Sequence, residues 1–83
     1  MDQNYPNPFN PSTTILYGLP KEENVVVKVY TMLGQEVATL FEGRQAAGTY
    51  QMHFNASHLP SGAYIYRVQA GSSTVVKQMM LLK

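Results

Sequence analysis

The sequence predicts an all-β fold, an antiparallel sandwich of about seven short strands. Three observations predict it. Short runs of β-branched, aromatic and aliphatic residues recur along the 83-residue chain. Turn-forming clusters of Gly, Pro, Asn and Ser interrupt them every 8–12 residues. Three of the runs divide at every second residue into an inward apolar set and an outward set, most cleanly over 49–55, the period of a strand.

The elements follow in chain order. "NYPNPFNPSTTI" opens the chain with three prolines, at 6, 8 and 11. Each fixes φ and lacks a donor, and Tyr5, Asn7 and Asn10 before them are pushed toward extended conformations. Residues 1–12 therefore read as a stiff Pro/Asn-rich leading segment, the end of a linker packed on the domain. Phe9 pins it to the body, and it contributes one brief strand pairing at most. The sandwich itself occupies 13–83.

"TTILYGLP" begins the β pattern, and "KEEN" turns it. "VVVKVY" over 25–30 is the strongest strand, with Val25, Val27 and Val29 on one face and Val26, Lys28 and Tyr30 on the other. "TMLGQE" places Gly34 at a positive-φ position of a hairpin turn. "EVATLFE" over 36–42 has a helical composition but is short and lies between strands, so it is assigned as a strand. "GRQAAG" then forms a loop bounded by Gly43 and Gly48.

"TYQMHFN" over 49–55 turns Tyr50, Met52 and Phe54 inward, and "ASHLPSG" is a turn. "AYIYRVQA" over 63–70 sets Tyr64, Tyr66 and Val68 against Ile65, Arg67 and Gln69. "GSS" closes a hairpin onto the last strand, "TVVKQMMLLK".

Composition narrows the function classes. Six Lys and Arg against five Asp and Glu leave a net charge of +1, with no basic cluster, which argues against nucleic acid. No cysteine is present, so neither a disulfide framework nor a thiolate site exists. No apolar run reaches the length of a membrane span, and "MMLLK" is too short to anchor one. The N-terminus lacks the apolar core of a signal peptide, so an export signal is expected upstream in a longer parent.

Catalytic chemistry is sparse. Asp2, Glu22, Glu23, Glu36 and Glu42 fall at the terminus, in turns or at strand ends. His53 and His58 lack a third ligand for zinc. The turn serines stand in no nucleophile elbow. The residues point to a small β-sandwich module with no catalytic site, metal or cofactor.

The order of motifs is more specific. "NYPNPFNPSTTI", "VVVKVYTMLGQEVATL", "AAGTYQMHFNASHLPSGAYIYRVQAG" and a closing "KQMMLLK" closely resemble the C-terminal sorting domain of the type IX secretion system, the Por secretion signal family. The segment from Val29 to Val37 is also similar to the Ig-like domain of flagellar hook-capping proteins. The resemblance implies an Ig-like β-sandwich carried by large exported proteins of Bacteroidetes. It implies transit through the periplasm behind an N-terminal signal peptide, then delivery to the cell surface or medium. The implied partners are the outer-membrane translocon, a sortase-like peptidase and an upstream cargo domain; it allows a weak homodimer. The implied motif residues are Tyr5, Pro6, Asn7, Pro8, Phe9, Asn10 and Pro11, then Gly34, Gln35 and Val37. Gly48, Tyr50, Leu59, Gly62 and Tyr64 follow, with Lys77, Met79, Leu81, Leu82 and Lys83 in the tail. The alternative is an accessory carbohydrate-binding or spacer module of a secreted glycoside hydrolase or peptidase, which would show a planar row of exposed aromatics.

Overall fold

The computed structural model describes residues 12–82. Six strands fill them: β1 (Ser12–Leu19), β2 (Glu23–Thr31), β3 (Glu36–Gln45), β4 (Gly48–Asn55), β5 (Gly62–Ala70) and β6 (Ser73–Leu81). All pairing is antiparallel. β1 and β4 form a two-stranded sheet, and the other four are ordered β3-β2-β5-β6. The two sheets make a sandwich, as the alternation predicts. The expected count of about seven included a pairing by the leading segment, of which residues 1–11 lie outside the described residues and Ser12 opens β1.

The core follows the strand periods. Val25, Val27 and Val29 of β2 and Tyr64, Tyr66 and Val68 of β5 face inward and are buried. Ile15, Tyr17 and Leu19 of β1, with Phe54 of β4, close over them. Met79 and Leu81 complete the interior from β6. Central strands carry the fully buried valines because they have neighbours on both sides. The smaller sheet has two strands against four, and Val75 and Lys77 on the inward-facing row of β6 are only half-buried.

One expectation needs correction. The segment 43–48 is not a loop throughout: β3 runs on through Gln45, leaving Ala46 and Ala47 as the connection. Gln45 turns inward, where the Tyr17 hydroxyl donates to its Oε1 at 2.6 Å. That bond satisfies a buried amide and holds the strand extended past Gly43. β3 is the strand expected over 36–42, and it is irregular. Its register against β2 slips between Val27 and Lys28 and again between Val29 and Tyr30. Leu40 and Val37 are the extra residues, each making a β-bulge. The bulges place Val37 with Ala38, and Leu40 with Phe41, as adjacent half-buried pairs.

The β5–β6 connection is a two-residue hairpin, Gly71-Ser72. Gly71 has φ 58° at the first central position, as a type II′ turn requires. Its N–H donates to the Asn24 carbonyl at 3.1 Å, tying the hairpin to the start of β2. The Glu23 carboxylate occupies the space a side chain at Gly71 would need.

Candidate functional site

One local device occurs twice. Gly48-Thr49-Tyr50 opens β4, and Gly62-Ala63-Tyr64 opens β5. Both glycines have positive φ, 151° and 150°, a backbone region that side-chain-bearing residues rarely adopt. Two residues on, each tyrosine hydroxyl donates to the carbonyl four residues before it. Tyr50 reaches Ala46 at 2.6 Å, and Tyr64 reaches Pro60 at 2.7 Å. This is the geometry of a tyrosine corner, in which the ring belts down the loop that leads into its own strand. Tyr64 is buried, and Tyr50 stacks on Tyr17 with ring centroids 5.5 Å apart. Motif residues Gly48, Tyr50, Gly62 and Tyr64 thus hold loops in place. The turn before β5 is fixed further by Leu59 N–H donating to the Ala56 carbonyl and Ser57 N–H to Asn55 Oδ1, each at 2.9 Å.

Thr31 organises the β2–β3 turn. Its N–H donates to the Gln35 carbonyl at 2.8 Å, and its carbonyl accepts from Gly34 at 3.0 Å. Its Oγ1 accepts from the N–H groups of Leu33 and Gln35, both at 3.2 Å. Gly34 has φ 91°, in accord with its expected place in a turn. Leu33 at the tip is 92% exposed.

The tail residues separate by parity. Met79 and Leu81 are buried, Lys77 is half-buried opposite Tyr66, and Leu82 is 50% exposed. Leu81 and Leu82 therefore do not form one apolar surface, since Leu81 belongs to the core. Tyr5, Pro6, Asn7, Pro8, Phe9, Asn10, Pro11 and Lys83 lie outside the described residues.

Charge on the outer face of the four-stranded sheet is organised in pairs. Lys28 and Glu36 lie 2.9 Å apart. The lysine, with Thr39 as a second donor at 3.0 Å, holds the Glu36 carboxyl below its ordinary value, and Glu36 in turn raises Lys28. Arg67 donates to the Tyr30 hydroxyl at 2.8 Å, its guanidinium 5.2 Å from that ring's centroid. At the other end of this face Arg44, opposite Asn24, pairs with Glu22 at 2.9 Å.

Thr14 and His53 face each other across β1 and β4, with Oγ1 and Nδ1 3.1 Å apart. Among the described residues no three of His, Asp and Glu gather as metal ligands. A cleft of about 410 Å³ opens between Gly18–Lys21 and the β5–β6 hairpin, over Leu19, Val68 and Val75. Among the described residues every tyrosine and phenylalanine is buried or half-buried, so no exposed aromatic row is present. Among its polar side chains, Thr31, Gln45, Tyr50 and Tyr64 hold turns and strands.

Sequence reasoning did not foresee the buried Tyr17–Gln45 contact or the two tyrosine corners. The corners had a readable signal, a G-x-Y triplet repeated at the start of two strands. The model of the secretion system C-terminal sorting domain family matches residues 3–82. No curated protein and no solved structure matches the chain.

Proposed function

We propose, from the premise that this chain belongs to the family of secretion system C-terminal sorting domains, that its folded surface is the address read by the outer-membrane translocon of the type IX system. Domains of this family are sorting signals for type IX secretion, part of cargo proteins handled by that machinery and bound for the cell surface or the extracellular space. The family is not catalytic. The single observation carrying the reading is the extent of the match, which leaves out only three of the 83 residues.

In this reading the cargo precedes the domain and reaches the periplasm behind its own signal peptide. Residues 1–12 join cargo to sandwich, and a sortase-like peptidase cuts ahead of 13–83. The translocon reads side chains that the fold leaves outside, and the buried motif residues keep those side chains in place. Leu82, exposed beyond the end of β6, is the described feature that fits the first role. Gly48, Gly62, Tyr64 and Leu81 fit the second.

The test is a reporter carrying a periplasmic signal peptide, fused ahead of residues 4–83, in a host with a type IX system. The reporter is expected on the surface or in the medium, and in the periplasm when the translocon is deleted. Periplasmic retention of a folded fusion, while the host's own cargo is exported, would overturn the proposal.

A further inference from the structure

The outer face of the four-stranded sheet carries an apolar patch with both a hollow and a knob. Tyr30, Gly34, Ile65, Arg67 and Val76 line a shallow hollow of about 280 Å³. Next to it the β2–β3 turn lifts Leu33 into solvent, and Met32 and Val76 are also more than half exposed. The four hydrogen bonds that converge on Thr31 hold this turn, so Leu33 is presented by a fixed support. Arg67, in the lining, is held by the Tyr30 hydroxyl and ring.

Shape and charge together select the occupant. The hollow is larger than a leucine side chain, and the knob beside it is a leucine. On the same face Lys28 and Arg67 are balanced by Glu36 and Glu42, which sit opposite Tyr30 and Val26 in the strand register, and Arg44, opposite Asn24, is balanced by its partner Glu22. A strongly charged partner gains no net attraction from a balanced face, and a second copy meets no net repulsion. A knob adjacent to its own hollow is what a two-fold interface needs, because rotation places each knob on the other copy's hollow. We infer that this face is the interface of a weak two-fold homodimer, with Leu33 of each copy seated against Ile65 and Val76 of the other. One hollow and a few side chains fall short of the roughly 800 Å² per partner that stable dimers bury, so the dimer forms at high protein concentration and exchanges readily.

The full chain is tested by sedimentation equilibrium up to millimolar concentration. Reversible dimerisation is expected, weakened at least about tenfold by Leu33→Asp, because a fully seated leucine would be lost. The thermal midpoint should stay unchanged, since Leu33 makes no buried contact within one copy. The chain lacks cysteine, so a mixture of Leu33→Cys and Val76→Cys variants can be oxidised in a glutathione buffer. The mixed disulfide is expected in excess over either homodimer and over a Leu33→Cys with His58→Cys mixture. A monomer at millimolar concentration, a dimer indifferent to Leu33→Asp, or crosslinks without preference would each overturn the inference. So would a monomeric chain whose Leu33→Asp variant blocks export of the fused reporter, which would assign the patch to the secretion machinery.

Discussion

The Tyr17 hydroxyl and the Gln45 side-chain carbonyl meet at 2.6 Å inside the sandwich, joining β1 of one sheet to β3 of the other. No buried side-chain polar atom among the described residues lacks a partner, so this contact is part of a fully satisfied interior. Tyr17→Phe removes the donor and leaves the Gln45 oxygen desolvated, which costs about 1–3 kcal/mol. Gln45→Leu strands the phenol in the same way. The double variant replaces both partners by apolar groups and should recover most of the loss. Urea unfolding of the four proteins gives the coupling energy, and simple additivity of the two losses would show that the bond does not join the sheets.

The tyrosine corners make a second, paired prediction. Tyr64→Phe and Tyr50→Phe each delete one hydroxyl and keep the ring, so each should cost about 0.5–1.5 kcal/mol. The loss at Tyr64 should be the larger, because its ring is buried while Tyr50 is half-buried. Gly62→Ala separates backbone from packing. A Cβ at Gly62 meets nothing within 4 Å, so any cost comes from the positive φ alone, on the order of 1–3 kcal/mol. An unchanged melting temperature for Gly62→Ala would mean that the glycine is there for another reason.

These residues also show what the sequence discloses. Strand β4 was legible because its side chains alternate apolar and polar, and β2 and β5 because β-branched and aromatic residues recur at every second position. The inward sets from Val25 to Val29, Tyr50 to Phe54 and Tyr64 to Val68 are those of the structure. β3 was harder. Its two bulges put neighbouring residues on the same side, so Val37, Ala38, Leu40 and Phe41 carry a helix-like spacing within a strand. Gln45 was hidden because a polar residue between two glycines looks like loop until Tyr17 is placed over it. In the tail, Met79, Met80, Leu81 and Leu82 are all apolar, so composition cannot tell inside from outside. The pairing of Leu81 with Gly62 decides it. Function was legible as an ordered set of motifs, whereas the side chains that a partner reads depend on which of them the fold exposes.

Stability should fall at both ends of the pH range, for different groups. Burial raises the Tyr17 phenol above its ordinary value of 10.0. Its stabilising share is complete below that value and is lost as pH climbs from there toward the raised folded pKa. Glu36 is held below its ordinary value of 4.5, chiefly by Lys28. Its share is complete above that value and is lost as pH falls through the lowered one. Glu36→Gln should therefore flatten part of the acid limb of a plot of melting temperature against pH, and Tyr17→Phe part of the alkaline limb. The same acid slope in wild type and Glu36→Gln would show that the exposed pair contributes nothing measurable.

The last prediction separates folding from recognition in the tail. Leu81 is wholly buried, and Leu82, its neighbour, is half exposed. Leu81→Ala leaves a cavity in the core and should cost about 2–5 kcal/mol. Leu82→Ser removes a solvent-facing side chain and should leave the unfolding free energy within about 0.5 kcal/mol of wild type. If the translocon reads this end of the domain, the two variants should diverge in opposite senses in a fused reporter. Leu82→Ser should be folded yet poorly exported. Leu81→Ala should lose export only as far as it loses folded protein, and a compensating stabilising change elsewhere should restore it. The measurement is the surface or medium fraction of reporter set beside the unfolding free energy of each purified domain. If Leu82→Ser is exported as well as wild type and Leu81→Ala fails even when restabilised, recognition depends on the buried residue's position. The exposed side chain would then have no part in the signal.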